Sequence, residues 1–318
     1  MKIGMVAGSL LCGAVCLSFT AAGAEEPNGK QAESQEYLLR YQFHPGDALR
    51  WTVVHRCRIR TSVSGSTQTA ETTTTSIKVW RVYEVKPDRS VVFDHMVESV
   101  DMRHTLSGRD EVHYNSRTDP CAPRGFEDVA RAVGVPLALV TIDNQGKVLR
   151  RKQNFVKASV AGQGEITIQL PEHAVAVGNR WSGQSNLDVP LSDGSVRRIR
   201  AMQSYKLESV RTGIATISMS TQIMTPIQDP AIEAQVLQYE TSGSVRFDID
   251  RGQILGRQID VDKSVVGFRG EASSIRYIGR STEEYLATSC SSSATNVSWS
   301  ITSPASACAI PISILRTR

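Results

Sequence analysis

The stretch RWTVVHRCRIRT, at residues 50–61, decides the fold class. Its odd-numbered positions are mostly apolar, from Trp51 to Ile59, and include Cys57. Its even-numbered positions end in a basic row: Arg56, Arg58 and Arg60. Because successive side chains of a β-strand point to opposite faces, this period of two predicts a half-buried strand with Cys57 on the inner face. The basic row fits either an anion-binding face or a solvated face, and we expect the solvated face.

The sequence around this stretch also has the pattern of short extended segments separated by Gly, Asp, Asn and Pro. A threonine-rich run at residues 66–76 continues into an apolar alternating run at 77–85, and β-branched threonine is common in strands. Residues 90–106 and 109–116 form the next predicted strand pair. Helical patterns are confined to residues 126–133 and 231–238. The sequence therefore predicts a mainly β, antiparallel fold with little helix.

Three pairs of segments repeat in the same order along the chain. A Gly-Asp turn before Trp51 resembles a Gly-Asn turn before Trp181. Residues 80–85 resemble 205–210, and the strand–turn–strand segment at 140–148 resembles 247–254. These matches predict an internal duplication, with two similar twisted antiparallel sheets or half-barrels at residues 37–160 and 161–286. The alternative is that unrelated β-hairpins use the same turn residues.

The turn motifs also carry a resemblance to a class of proteins. Pro45-Gly46-Asp47 precedes the first tryptophan strand, Val-Gly-Asn-Arg-Trp at residues 177–181 begins the second, and Phe247-Asp248 lies in the last repeated hairpin. Over residues 37–286 this layout resembles exported bacterial β-rich proteins of unknown function. The resemblance implies an exported protein and brings neither an activity nor functional residues.

The amino terminus has the features of a cleavable signal peptide over residues 1–24. Lys2 precedes an apolar run at 3–19, and Ala22-Gly23-Ala24 fits a small-x-small cleavage site before Glu25. A retained transmembrane helix is the alternative, but it needs about 20 apolar residues with suitable flanks. We expect cleavage, a polar leader at 25–36, a mature protein without a stable membrane span, and a periplasmic or extracellular location.

Composition argues against one class of partner, nucleic acid. The 36 Lys and Arg residues nearly balance the 32 Asp and Glu residues, which leaves a formal charge of +4 over 318 residues. So small and scattered an excess gives little support to a nucleic-acid partner. The partner that we expect is an apolar small molecule or an envelope protein.

Four cysteines remain after the predicted cleavage: Cys57, Cys121, Cys290 and Cys308. Disulfides persist in oxidising compartments, and four cysteines allow three connectivities, which the sequence leaves open. Buried free thiols are nearly as well supported. Cys290 with Cys308 is the favoured pair, because both lie in a Ser/Thr-rich tail at residues 287–318.

One hairpin carries a candidate metal site. If Ser107-Gly108 forms the turn, residue 104 pairs with 111, and His104, Glu111 and His113 share one face. Two imidazoles and a carboxylate suit Zn²⁺ or another transition metal. The alternative, which we favour, is a solvated hairpin, and a one-residue slip would move these side chains to opposite faces.

No nucleophile elbow, zinc-protease helix, phosphate loop or dinucleotide fingerprint occurs in the sequence, so it predicts no catalytic residue and no cofactor. Asp94-His95 has no identifiable partner serine or cysteine. The leading hypothesis is a non-enzymatic binding or scaffolding protein. A metal-dependent or hydrolytic enzyme that uses the hairpin histidines, and a purely structural assembly module, are the alternatives. Three tryptophans are expected in the core, although they also suit an apolar ligand groove: Trp51, Trp80 and Trp181.

Overall fold

The structure is a computed structural model that describes residues 35–154, 166–191 and 194–287. The predicted signal peptide at 1–24, residues 25–34 of the predicted leader, and the tail at 288–318 lie outside the described residues. The predicted pairing of Cys290 with Cys308 lies outside them as well. These expectations therefore stay predictions.

The described chain is built almost entirely from strands. The strands are β1 (Glu36–Tyr37), β2 (Ala48–Val63), β3 (Ser66–Val85), β4 (Val91–Leu106), β5 (Val112–Asn115), β6 (Pro136–Ile142), β7 (Val148–Gln153), β8 (Val175–Ala176), β9 (Arg180–Pro190), β10 (Val196–Arg211), β11 (Ile214–Ile223), β12 (Ser242–Asp248), β13 (Gln253–Val266) and β14 (Ser273–Tyr285). Helix α1 spans Glu127–Ala132 and α2 spans Pro230–Val236, followed by a 3-10 turn at Leu237–Tyr239. Neither helix has the length and apolar character that crossing a membrane requires.

Twelve of the described strands form one antiparallel sheet in the order β7-β6-β4-β3-β2-β14-β13-β12-β11-β10-β9, with β5 paired to β4. Strands β1 and β8 form a separate two-stranded sheet. The mainly β, antiparallel prediction is confirmed. Strands of the two predicted units belong to the same sheet, because β2 pairs with β14 from Trp51–Tyr285 to Val63–Ser273. The internal duplication stays a prediction.

Two tight turns set the register of the longest hairpins. Ser64-Gly65 joins β2 to β3, and Thr212-Gly213 joins β10 to β11. Both residues of each turn have positive φ, at 48° and 80° in the first and 46° and 77° in the second. Two-residue turns with this backbone match the twist of antiparallel strands, and glycine adopts it without steric cost. Each turn thereby fixes which residues pair across its hairpin.

The main core lies on one face of the sheet and is rich in aromatic rings. Trp51 on β2 and Trp80 on β3 are each 1% exposed, and their ring centroids are 4.8 Å apart. Phe93 on β4 stacks on Trp80 at 4.6 Å. Trp181 on β9 is partly buried and packs against the same core. The core placement predicted for the three tryptophans is confirmed.

An extended segment before β2 completes this core. Alternate side chains of the segment are buried: Leu39, Tyr41 and Phe43. Its backbone contacts the β6–β7 turn, where Tyr41 N donates to Asn144 O at 2.8 Å, and the β12–β13 turn, where Gln42 N donates to Gly252 O at 3.1 Å. A Cβ atom at Gly252 would lie 2.5 Å from Gln42 N, so this close approach requires glycine.

The opposite face of β2 is charged and solvated, as its alternation predicts. Arg56, Arg58 and Arg60 are exposed. Acidic side chains on neighbouring strands balance this face, since Arg58 pairs with Glu71 at 2.8 Å and Arg280 of β14 pairs with Asp260 at 2.5 Å.

Candidate functional site

The predicted pairing of the β4–β5 hairpin is wrong by one residue. Residue 104 pairs with Val112 and Arg103 pairs with His113. The turn itself is at the predicted place, because Arg109 N donates to Leu106 O at 2.9 Å. β5 begins only at Val112, so the chain between the turn and the strand holds one residue more than a tight hairpin allows. A one-residue slip moves a side chain to the other face.

The slip separates the three residues of the candidate metal site. His104 Nδ1 lies 2.9 Å from Thr72 Oγ1 on the core-side face, whereas His113 Nε2 lies 3.0 Å from Asp101 Oδ1 on the other face. Glu111 interacts with Arg103 at 3.5 Å. The part of the chain that the structure describes contains no group of three or more His, Cys, Asp or Glu side chains that could hold a metal ion. The structure thus does not bring His104, Glu111 and His113 together.

The two described cysteines are free thiols. Cys121 is exposed, and Cys57 is partly buried on the core-side face. Burial raises the pKa of the Cys57 thiol, while hydrogen bonds with Thr72 and Tyr277 act in the opposite direction. A raised pKa keeps the thiol protonated, so Cys57 is a structural residue and not a reactive one.

The structure instead brings polar and apolar side chains together beneath α1. We call this space the α1 cavity. Its apolar wall comes from α1 and the strands next to it: Val53, Val97, Val100, Val129, Ala132, Val133 and Leu137. Its polar floor comes from β2, β3, β4 and β14: His55, Thr74, Ser76, Lys78, His95, Ser281 and Glu283. About 70 Å³ is open to the centres of water molecules, which is room for several waters or for part of a small ligand.

Two residues of the floor, Lys78 and Glu283, belong to a buried ion triad with Arg257. Lys78 Nζ lies 2.6 Å from Glu283 Oε2, and Arg257 Nη2 lies 2.5 Å from Glu283 Oε1. Lys78 is on β3 and Glu283 on β14, so the lysine side chain crosses over β2, which lies between them. On the way its Nζ lies 4.8 Å from the ring centroid of Trp51, a distance typical of a cation–π contact. All three charged residues are buried.

The pKa values of the triad show how strongly the charges depend on each other. Burial raises the pKa of Glu283, but the positive charges of Arg257 and Lys78 more than offset this effect and hold the pKa at about 2. Burial lowers the pKa of Lys78, and the charge of Glu283 acts against this shift while Arg257 adds to it. One carboxylate therefore stabilises two buried cations.

Two histidines beside the triad have a buried nitrogen without a protein partner. Nδ1 of His55 and Nδ1 of His95 are inaccessible to solvent and make no hydrogen bond within the described chain. Burial lowers the pKa of His55, and burial together with the charges of Lys78 and Arg151 lowers the pKa of His95 to about 3. Both imidazoles are consequently neutral near pH 7. A neutral imidazole can donate or accept one further hydrogen bond at such a nitrogen.

A larger open depression of about 1260 Å³ lies next to the α1 cavity. Among the residues that border it are Cys57, Thr72 and Gly279. Each lies two positions from a residue of the α1 cavity on the same strand, and residues two apart share a face: Cys57 from His55, Thr72 from Thr74 and Gly279 from Ser281. Three strands thus contribute to both spaces, and side chains from both faces of the sheet border the depression, among them Arg56 and Glu71.

Sequence pattern predicts the position of only some residues of this site. The alternation of β2 puts His55 on the same face as Trp51, and the alternation of β3 puts Lys78 on the same face as Trp80. A titratable residue on an otherwise apolar face is the signal that was available. Glu283 is 205 residues from Lys78, and only the pairing of β2 with β14 shows that they meet.

No protein-family model matches the chain, and no curated protein matches it either. Among solved structures the chain is similar to lipovitellin, in a structure described as lipid–protein interactions in lipovitellin, with 10% sequence identity and a TM-score of 0.42. The match covers 80% of this chain and 27% of that chain, so this chain spans about a quarter of the lipovitellin chain's length. This similarity is too weak to indicate a ligand, so the basis for the function is the α1 cavity alone.

Proposed function

We propose that this protein binds a small, largely apolar molecule in the α1 cavity and does not transform it chemically. The observation that carries the proposal is the combination of an apolar wall with two buried imidazole nitrogens that have no hydrogen-bond partner among the described residues. Leaving a buried polar atom without a hydrogen bond costs about 1–3 kcal/mol. A ligand with a polar end that entered as α1 and the imidazole rings moved would hydrogen-bond to these nitrogens and fill the apolar space.

The construction of α1 supports its role as a movable cover for this site. The helix has only six residues and no side-chain cap at its amino-terminal end. Gly125 and Gly134 flank it with φ of 96° and 78°, and a Cβ at either position would meet no atom within 4 Å. Glycine at both ends of a short element permits backbone rotation there, and opening would break the hydrogen bond that Gly134 N donates to Val97 O at 2.7 Å. Movement of α1 would admit molecules larger than the closed cavity.

A binding role also agrees with the chemistry that the cavity lacks within the described chain. Nδ1 of His55 and Nδ1 of His95 make no hydrogen bond to a described serine, threonine or cysteine that would act as a nucleophile. The predicted signal peptide supports an extracytoplasmic location for this binding. We therefore propose an exported carrier or sensor of an apolar molecule.

The proposal is tested by titration with N-phenyl-1-naphthylamine, a neutral apolar dye whose fluorescence rises in apolar surroundings. We expect saturable binding of one dye per chain. Val129→Phe, which places a ring in the cavity wall, should weaken binding at least tenfold. Ala231→Phe is the matched control, because Ala231 is exposed on α2 and its substitution should leave binding unchanged.

Two results would contradict the proposal. One is the absence of saturable binding to the unmodified protein. The other is binding that Val129→Phe leaves unchanged, which would place the dye elsewhere on the sheet.

A further inference from the structure

Lys78, in the floor of the α1 cavity, carries a positive charge that nearby negative charge balances only in part. Glu283 is the one acidic group whose charge raises the pKa of Lys78, and it also binds Arg257 through its other carboxylate oxygen. Arg257 repels Lys78. Lys78 therefore shares its single carboxylate with a second buried cation, and its charge is only partly balanced.

Side chains that donate hydrogen bonds reach the floor from four strands. A lysine ammonium has three donors; Lys78 uses one of them on Glu283, and its Nζ also lies 4.8 Å and 5.4 Å from the ring centroids of Trp51 and Trp80, so an anion would take its place beside these rings. His55 and His95 offer one further hydrogen bond each, and Ser76 and Ser281 contribute hydroxyl groups to the same lining. Such a set suits a group that accepts several hydrogen bonds at once.

An anionic group meets both requirements, whereas the alternatives meet one or neither. A neutral hydroxyl would satisfy an imidazole but leave the charge of Lys78 as it is. An ammonium group would add a third cation beside Lys78 and Arg257. A carboxylate accepts several hydrogen bonds and balances the charge, and charge-assisted hydrogen bonds are roughly twice as strong as neutral ones.

We infer that the ligand of the α1 cavity is a monocarboxylate with an apolar chain, whose carboxylate binds Lys78 between His55 and His95. This inference rests on the proposed function and names its ligand class. The valine, alanine and leucine side chains of the wall contact the apolar chain, which enters the cavity as α1 moves.

Calorimetric titration of three ligands with the same chain length tests the inference: octanoate, 1-octanol and octylammonium at pH 8. We expect octanoate to bind at least about tenfold more tightly than octanol, since a charge-assisted contact of about 1.4 kcal/mol corresponds to that ratio. Octylammonium should bind more weakly than octanol.

Variants locate the carboxylate. Lys78→Met should reduce octanoate affinity to that of octanol and leave octanol affinity within about twofold. Lys206→Met is the matched control, because Lys206 also contacts a glutamate at 2.6 Å, but lies outside the α1 cavity, and it should preserve the preference. His55→Leu, at a less buried position than Lys78, is a second variant and should lower the preference at least threefold if Lys78→Met does not fold.

The outcomes separate the inference from the proposed function. Equal binding of octanol and octanoate would overturn the carboxylate while the cavity remains a binding site. A tenfold preference that survives both Lys78→Met and His55→Leu would overturn the position of the head group. Failure of all three ligands and of the neutral dye would contradict the proposed function itself.

Discussion

The two short helices lie on the same face of the sheet but cover different surfaces. Helix α2 packs on a closed apolar cluster in which Val189, Ile199, Ile232 and Val236 are buried. Helix α1 packs on Val100, Tyr114 and Phe126 at one side and covers a cavity with a charged floor at the other. One helix thus completes a core, whereas the other closes a space that the protein leaves unfilled.

The ends of the two helices also differ, because α2 has stabilising features at its amino-terminal end that α1 lacks. Asp229 caps the amino-terminal end of α2, since its carboxylate accepts a hydrogen bond from Ala231 N at 2.8 Å, and Pro230 occupies the first helical position. Both features favour a stable helix start. α1 has neither feature, and Gly125 and Gly134 flank it. The comparison indicates that the start of α2 is better stabilised than that of α1, which the proposed function requires of the helix that opens.

The largest effect is expected from the floor of the α1 cavity. Glu283→Gln removes the carboxylate that stabilises two buried cations, and we expect a loss of about 3–5 kcal/mol in the free energy of unfolding, measured with urea. Glu284→Gln is the control, because Glu284 pairs with Arg246 on the exposed face and its loss should cost far less. Similar effects of the two substitutions would show that the triad does not stabilise the fold.

A matched pair of valines compares the surfaces under the two helices. Val236→Ala on α2 removes two methyl groups from a closed cluster and should lower the free energy of unfolding by about 2 kcal/mol. Val129→Ala on α1 enlarges a space that already exists, so we expect about half that loss or less. Equal losses, measured by the same urea unfolding, would mean that α1 packs as tightly as α2.

Neutral His95 should make stability depend on pH in a defined direction. Its pKa is about 3 in the folded protein and near 6.5 when unfolded, so between these values the unfolded chain binds a proton that the folded protein does not. The stability that neutral His95 contributes is complete above pH 6.5 and falls by up to about 1.4 kcal/mol per pH unit below it.

Unfolding measured between pH 7 and pH 5 avoids the window of Glu283, which begins near its unfolded pKa of 4.5. His95→Gln should reduce the slope in this range, with the remainder coming from His55, whose pKa burial also lowers, whereas His113→Gln on the exposed face should preserve it. A slope that His95→Gln leaves unchanged would contradict the burial of a neutral imidazole in the α1 cavity.

The smallest effect concerns the helix start. Asp229→Ala removes the cap of α2 and should cost about 1 kcal/mol. Amide hydrogen exchange should then be faster in α2, and thus closer to the rate in α1, which is uncapped from the outset. Slower exchange in α1 than in α2 in the unmodified protein would reverse the comparison.

Local pattern accounts for much of this fold. Alternation in residues 50–61 predicted β2 and its charged outer face, and the two predicted helices at 126–133 and 231–238 appear as α1 and α2. Each helix follows a strand pair, α1 after β5 and α2 after β11, which is compatible with the predicted duplication without establishing it. These features depend on neighbours within a few residues, and that is why sequence carries them.

The site depends on contacts that local pattern does not carry. A single extra residue after the Ser107-Gly108 turn moved His104 and His113 to opposite faces, and no residue type in the hairpin indicates it. The meeting of Lys78 with Glu283 requires the order β3-β2-β14, in which the last strand returns beside the first long one. Strand order over 200 residues is a property of the whole sheet.

The most direct test of the central claim is a crystal structure of the protein grown with octanoate. The account predicts the carboxylate within hydrogen-bond distance of Lys78 Nζ, the chain against Val97 and Val129, and α1 displaced from the sheet. Ordered water on Nδ1 of His55 and His95, with α1 in place and octanoate absent from the cavity at saturating concentration, would contradict it.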